Sequence, residues 1–243
     1  MTRYRSFANG MIWTLVLACS ACGPSSRQAP AKQEPEVKIG LLMDTLGKEE
    51  RWQRDRDLFV ERAKELDAEV LVEAAERDDA KQLQQAESLL ERGVQALVVV
   101  PHNAEAAGKI VEAAKKRSVP VISYDRLILK ADVDLYLSYD NRRVGEQQAQ
   151  YLRNQAPKGN YILLGGAPTD YNAKLIREGQ MAALQDGVAR GDIKIVADPW
   201  VTDWQPGAAM TLTEAALKKA KNQVVAVVAS NDPTAGGAIQ ALE

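Results

Sequence analysis

Val37-Lys38-Ile39-Gly40-Leu41-Leu42-Met43-Asp44 is the stretch that decides the fold. Seven residues, largely apolar on both faces, end abruptly in an acid. A strand without a polar face must be covered on both sides, which is the habit of parallel sheets wrapped in helices. The same phrase recurs downstream. Residues 119–124 run into Asp125-Arg126, residues 161–164 pass through Gly165-Gly166 to Asp170-Tyr171-Asn172, and residues 224–229 run into Ser230-Asn231-Asp232. Ligands of open parallel α/β sheets bind beyond the carboxyl ends of the strands. Four polar clusters in that position can converge on one polar ligand.

Outward from these runs, strand and helix patterns alternate. Helical spacing covers 49–66, 79–92 (closed by Gly93) and 104–117, and strands cover 69–72, 96–100 (stopped by Pro101), 120–123 and 135–138. The rhythm then restarts, with helices over 142–155, 172–189, 206–219 and 233–242 and strands over 161–164, 194–197 and 224–228. The expected fold class is α/β, with two doubly wound parallel-sheet lobes facing each other across a cleft. One large sheet is the alternative that spacing also allows. The expected division is an N-terminal lobe over 37–139 and a C-terminal lobe over 140–243. The second lobe shows three strands, where open sheets of this class have about five or more. Glu243 falls inside a periodic helix, so an incomplete second lobe is expected.

The first residues follow another logic. Arg3 and Arg5 precede an apolar stretch over 11–18, which is shorter than the about 20 residues a membrane span needs. This is the layout of an export signal, here 1–19. The two cysteines of the chain, Cys19 and Cys22, follow it at once. Val16-Leu17-Ala18-Cys19 resembles a lipoprotein lipobox, with Cys19 as the lipidation site and Cys22 as the alternative. A Cys-X-X-Cys redox or metal pair is the competing assignment, but such a pair belongs beside a βαβ unit. Residues 20–36, rich in Pro, Ser, Gln and Lys, read as a flexible tether.

The bulk numbers exclude several classes. The 31 basic and 33 acidic residues are interleaved along helical stretches, so no basic stripe offers itself to nucleic acid. With a single histidine, His102, and no thiol cluster beyond the signal, Ser–His or Cys–His catalysis and a transition-metal site are poorly supplied. No cofactor is implied. Gly165-Gly166 and Gly236-Gly237 could cradle a phosphate, but neither completes a nucleotide-binding pattern. His102, in a loop after Pro101, is expected at the rim or surface. Asp44 with Asp125 could serve as a glycosidase pair; the export signal and the two-lobe pattern favour a binder over an enzyme.

What remains is an inventory suited to a sugar. Asp and Asn supply acceptors for hydroxyls, Arg a rigid fork of donors, and indoles cover the C–H faces of the ring. Arg51, Trp52, Asp125, Arg126, Asp170, Asn172, Trp204 and Asn231-Asp232 are the candidates. Each has a plainer assignment: Asp232, before Pro233, as a helix cap, Asp125-Arg126 as a structural salt bridge, Trp52 as packing. Both tryptophans are placed at the cleft edge, away from the core.

Glu50-Arg51-Trp52-Gln53-Arg54-Asp55-Arg56-Asp57, Tyr124-Asp125-Arg126, Gly165-Gly166-Ala167-Pro168-Thr169-Asp170-Tyr171-Asn172 and Ala229-Ser230-Asn231-Asp232-Pro233-Thr234 together resemble the type I periplasmic binding proteins, the sugar receptors of bacterial ABC importers. The resemblance runs from about residue 37 to the last. It implies ligand contacts from Arg51, Asp125, Arg126, Asp170, Asn172, Trp204 and Asn231, with Trp52 as a second stacking ring and Asp232 left as a cap. Tyr124-Asp125-Arg126 is shared by binders of several aldoses, whereas the Glu-Arg-Trp-Gln segment and the Ala-Ser-Asn-Asp run favour D-xylose. Tyr171 departs from the Asn common at that position. Further contacts, from an Asp and a Lys, are implied beyond Glu243. The implied partners are a monosaccharide and the permease subunits of an importer, met in the periplasm by a monomeric, membrane-anchored lipoprotein. A broad aldose binder and a periplasmic sugar-sensing adaptor are the alternatives.

Overall fold

The computed structural model describes residues 37–47 and 50–243. The export signal, the tether and both cysteines lie outside the described residues. In chain order the elements are β1 (Val37–Met43), α1 (Glu50–Glu65), β2 (Ala68–Ala74), α2 (Asp79–Glu91), β3 (Ala96–Val99), α3 (Gly108–Lys115), β4 (Val121–Tyr124) and β5 (Leu135–Leu137). There follow α4 (Asn141–Gln155), β6 (Gly159–Leu164), α5 (Tyr171–Ala189), β7 (Ile193–Ala197), a single 3-10 turn at Thr202–Trp204, α6 (Pro206–Lys219), β8 (Ala226–Ala229) and α7 (Asp232–Gln240).

The strands form two separate sheets, so the single-sheet alternative falls. The first has the order β2-β1-β3-β4-β5 and the second β7-β6-β8, with every pairing parallel. Both are built around a strand whose sequence neighbours lie on opposite sides. That strand is β1 in one sheet and β6 in the other, and the chain reverses its winding there.

The apolar runs explain the layers. Side chains alternate across a strand. Leu42, Leu97 and Val99 therefore pack on one face with Leu89 and Ile110 of α2 and α3. Leu41, Met43, Val98 and Val100 pack on the other with Trp52 of α1. The second sheet repeats the scheme. Tyr161 and Leu163 pack with Ala149 and Leu184 of α4 and α5, while Ile162 and Leu164 meet Ala209, Ala216 and Ala238 of α6 and α7. Each fully buried Leu of this kind contributes roughly 1.5–3 kcal/mol. In the second lobe α4 and α5 cross with their backbones touching: a Cβ on Gly145 would overlap the Ile176 carbonyl, and one on Gly179 the Arg142 carbonyl.

The elements depart from the sequence pattern in three informative places. Helix α3 starts at Gly108 rather than 104. The amides of Glu105 and Ala106 bond the Asn103 side chain, and the Ala104 amide bonds Thr169 O at 3.0 Å, in the second lobe. Residues 104–107 instead form tight turns, with i→i+3 bonds from Gly108 N to Glu105 O at 3.1 Å and from Ile110 N to Ala107 O at 2.9 Å. Strand β2 reaches Ala74 because it stays in register with β1 to the pair Met43↔Ala74. The cap of α7 is Asn231, not Asp232: Asn231 and Thr234 bond reciprocally in a capping box, and Asp232 is the first helical residue.

Candidate functional site

Topology brings the strand ends together. Asp125 and Arg126 follow β4, Asp170 and Asn172 follow β6 across a short loop, Trp204 sits in the turn after β7, and Asn231 follows β8. Arg51 and Trp52 occupy the first turn of α1. All eight side chains line one cavity of about 820 Å³, within the roughly 300–1,000 Å³ common for small-molecule sites.

The local structure is built to hold them there. The Tyr124 hydroxyl donates to Asp55 at 3.1 Å, tying β4 to α1. Burial first, and Asp55 beside it, push that phenol up to about 12. Asp125 has a left-handed backbone (φ 63), as do Glu76, Arg77, Asp203 and Trp204. Four of these five line the cavity. Such conformations are costly for residues with a Cβ and gather at functional sites. Gly165 and Gly166 serve the indoles rather than a phosphate. A Cβ on Gly165 would lie 2.6 Å from Trp200 Cε3, and one on Gly166 would overlap the Trp204 ring. Gly237 has a similar task, with the Pro206 carbonyl of α6 against it.

Arg126 is the hub. It is 6% exposed. Its Nη1 donates to Asp44 Oδ2 at 2.8 Å and to Pro101 O at 3.2 Å, and its Nε lies 2.9 Å from Asp170 Oδ2. Burial opposes its charge, but the Asp170 and Asp44 carboxylates outweigh that and raise its pKa. Asp170 also caps α5 by accepting from the Asn172 amide at 2.9 Å, and it accepts from Trp204 Nε1 at 3.2 Å. Burial raises the Asp170 carboxyl, with the Arg126 charge and the Asn172 amide pulling the other way. The Asn172 side chain donates to Asp125 O at 3.0 Å and Oδ1 at 3.2 Å, and Arg51 Nη2 pairs with Asp125 Oδ2.

Several of these bonds join the lobes: Arg126–Asp170, Asn172–Asp125, Tyr136 Oη to Asn172 Oδ1 at 3.4 Å, and the backbone bond from Ala104 to Thr169. At the cavity edge Gln205, with its amide oxygen turned toward Arg77, accepts from Nη1 and Nη2 at 2.7 and 3.1 Å. The carboxylates keep spare capacity, since each can accept about four hydrogen bonds.

Three expectations need correction. The tryptophans are not clear of the core. Trp52 is 3% exposed and Trp204 9%, each packed in an apolar cluster while lining the cavity. The guanidinium carbons of Arg51 and Arg126 lie 4.5 and 5.4 Å from the Trp52 ring centroid, so packing and site are combined in one side chain. His102 is not at the surface. Its side chain is 13% exposed, and Nδ1 lies 3.0 Å from Asp44 Oδ1. Asp44 is buried behind Arg126 and is absent from the cavity wall, so it does not face Asp125 as a catalytic partner. Among the described residues no group of three His, Cys, Asp or Glu is arranged to hold a metal.

Residues 39–243 match the family profile of the periplasmic binding protein domain. The chain belongs to this family. Its curated relatives include the D-xylose-binding periplasmic protein of Haemophilus influenzae, 49% identical over 207 residues, which cover 85% of this chain and 62% of the relative. They also include the D-xylose-binding periplasmic protein of Escherichia coli, 47% identical over 228 residues, or 94% of this chain and 68% of the relative. The chain thus spans about two thirds of the length of these relatives. Among solved structures, an ABC transporter solute-binding protein of Clostridium phytofermentans with bound β-D-glucose superposes with a TM-score of 0.78. It is 29% identical, with 84% of this chain and 68% of that one covered. The two-lobe architecture is that of the type I periplasmic binding proteins.

Sequence reasoning missed part of the wall of this family's cleft. Thr45, Glu76, Arg77, Asn141 and Gln205 also line the cavity. Glu76 and Arg77 follow the carboxyl end of β2, so the strand-end rule applied to that strand finds them. Asn141 and Gln205 sit at helix starts and carry no comparable signal.

Proposed function

We propose that this protein is a periplasmic receptor that captures D-xylose between its lobes and presents it to the permease of an ABC importer. The observation that carries this is the convergence of Arg51, Asp125, Arg126, Asp170, Asn172, Trp204 and Asn231 on one cavity, in a chain 47–49% identical to two D-xylose-binding periplasmic proteins. Arg51, Arg126 and Asn231 supply donors, and Asp125, Asp170 and Asn172 supply acceptors. The indoles of Trp52 and Trp204 cover apolar faces of the sugar. One polypeptide furnishes all of these groups, consistent with a monomer. The chemistry is recognition without turnover: the carboxylates are engaged by Arg51, Arg126, Asn172 and Trp204 rather than poised around a scissile bond.

Contacts from both lobes exist together only when the lobes meet. The sugar therefore stabilises the closed form by its differential affinity, in a hinge closure. The domain limits we assign are 37–139 and 140–243. A lipid anchor at Cys19, or Cys22, is supported by Val16-Leu17-Ala18-Cys19 alone.

Calorimetry with D-xylose, D-glucose, D-galactose and L-arabinose tests the assignment. Xylose is expected to bind at micromolar concentration or tighter and ahead of the others. Equal affinity for all four would replace it with a broad aldose receptor, a possibility favoured by the glucose-bound neighbour. A sensory role has its own support in a fructose-binding periplasmic domain of a hybrid two-component system, 27% identical with a TM-score of 0.74.

A further inference from the structure

We propose that Asp44 and His102, which do not line the cavity, are positioning residues that aim Arg126 at the sugar. This rests on the sugar-binding function proposed above and assigns work to two side chains outside the wall.

The geometry is a relay across the switch point of the first sheet. β1 and β3 are neighbours there, and each delivers one member from its carboxyl end: Asp44 after β1, His102 after β3 and Pro101. Gln82 of α2, 2% exposed, closes the gap behind them. Its Nε2 donates to Val100 O at 2.9 Å and its Oε1 accepts the His102 amide at 3.2 Å. His102 Nδ1 then lies 3.0 Å from Asp44 Oδ1 as an ion-pair contact, that oxygen having no aligned hydrogen bond, and Asp44 Oδ2 takes Arg126 Nη1. With Pro101 O on the same nitrogen, both Nη1 bonds are set, and the Asp170 carboxylate 2.9 Å from Nε holds the planar group by charge. Nη2 has no protein partner among the described residues and, being coplanar, has a set direction.

A plainer role, holding the turn together, is already filled. The Asp125 amide bonds Leu137 O at 2.8 Å. Ser123 Oγ donates to Arg126 O at 2.6 Å and accepts from the Ile128 amide at 3.0 Å. The backbone around Arg126 is thus secured without Asp44. Asp44 acts on the side chain, where a fixed donor binds a ligand better than one that must first be ordered. The burial of Asp44 would raise its carboxyl, yet the adjacent His102 and the Arg126 charge win and lower it.

The test is xylose affinity of the full chain by calorimetry for wild type, Asp44→Asn, His102→Gln, Arg126→Lys and the double variant Asp44→Asn/Arg126→Lys. Asp44→Asn is expected to weaken xylose about tenfold, and His102→Gln by a smaller factor. In the Arg126→Lys background, where no planar group remains to be aimed, Asn at 44 is expected to change affinity less than about twofold. An equal loss in both backgrounds overturns the proposal in favour of a general structural role. So does unchanged affinity in Asp44→Asn and His102→Gln. A wild-type chain that binds no aldose at all sinks the sugar-binding function itself, and the relay with it.

Discussion

Asp44 and Asp170 hold the same guanidinium from opposite lobes, both almost fully buried, and their carboxyls move in opposite directions. Asp44 is lowered and Asp170 raised. Burial pushes both upward, so the partners decide. Asp44 faces two groups that carry or can carry positive charge, His102 and Arg126. Asp170 faces one cation and two neutral donors, the Asn172 amide and the Trp204 indole. The lesson is one of division of labour. The bond from Asp44 lies within the first lobe, so the hinge opening proposed above would leave it in place. The contact from Asp170 crosses between lobes, so the proposed opening would break it and free it for a sugar hydroxyl.

The heaviest blow to this arrangement is Arg126→Ala, which strands both carboxylates in the interior. Losing one partner of a buried ion pair costs about 3–5 kcal/mol. Urea denaturation is expected to show a loss of that size, together with loss of xylose binding. A small change would mean that water reaches the pair. A lighter change strikes one side alone. Gly166→Ala forces the Trp204 indole off its seat and away from Asp170. Overpacking of this kind costs about 1–3 kcal/mol. Trp204 fluorescence should shift to the red while the Asp44–Arg126 pair is untouched. An unshifted spectrum would show that the indole is not held by that glycine.

The smallest effect is a pH dependence. His102 is raised above its ordinary 6.5, chiefly by its bond to Asp44. Its stabilisation is therefore fully present below 6.5 and fades as pH climbs through the raised value. Asp44 is lowered from 3.8, so its contribution is present above 3.8 and disappears as pH falls through the lowered value. The melting temperature should drift down on the alkaline side of 6.5 in wild type and lose that drift in His102→Gln. A drift of equal size in the variant would place the proton elsewhere.

The strand ends were legible because their signal is local. An apolar run followed by an acid or amide needs no knowledge of the partner strand, and Val37–Met43 and Pro206–Lys219 match the pattern residue for residue. The parts that stayed hidden are non-local. His102 is a lone loop histidine in sequence, and its partner lies 58 positions earlier. Ala104 has helical spacing, but its amide is used by Thr169, far along the chain. Trp52 reads as either packing or site because it is both. Asn231 reads as a ligand group in sequence, yet it is also the cap of α7. The capping box depends on Thr234 three residues on.

In both sheets the strand that comes first in sequence is flanked by the two that follow it, β2-β1-β3 in one and β7-β6-β8 in the other. The two walls of the cleft therefore share one local strand arrangement, much like two hands cupped around one object. Substitutions on one palm can reshape the grip on one end of a ligand while the other palm keeps its hold. If the proposed sugar binding holds, such a molecule can change its specificity by halves.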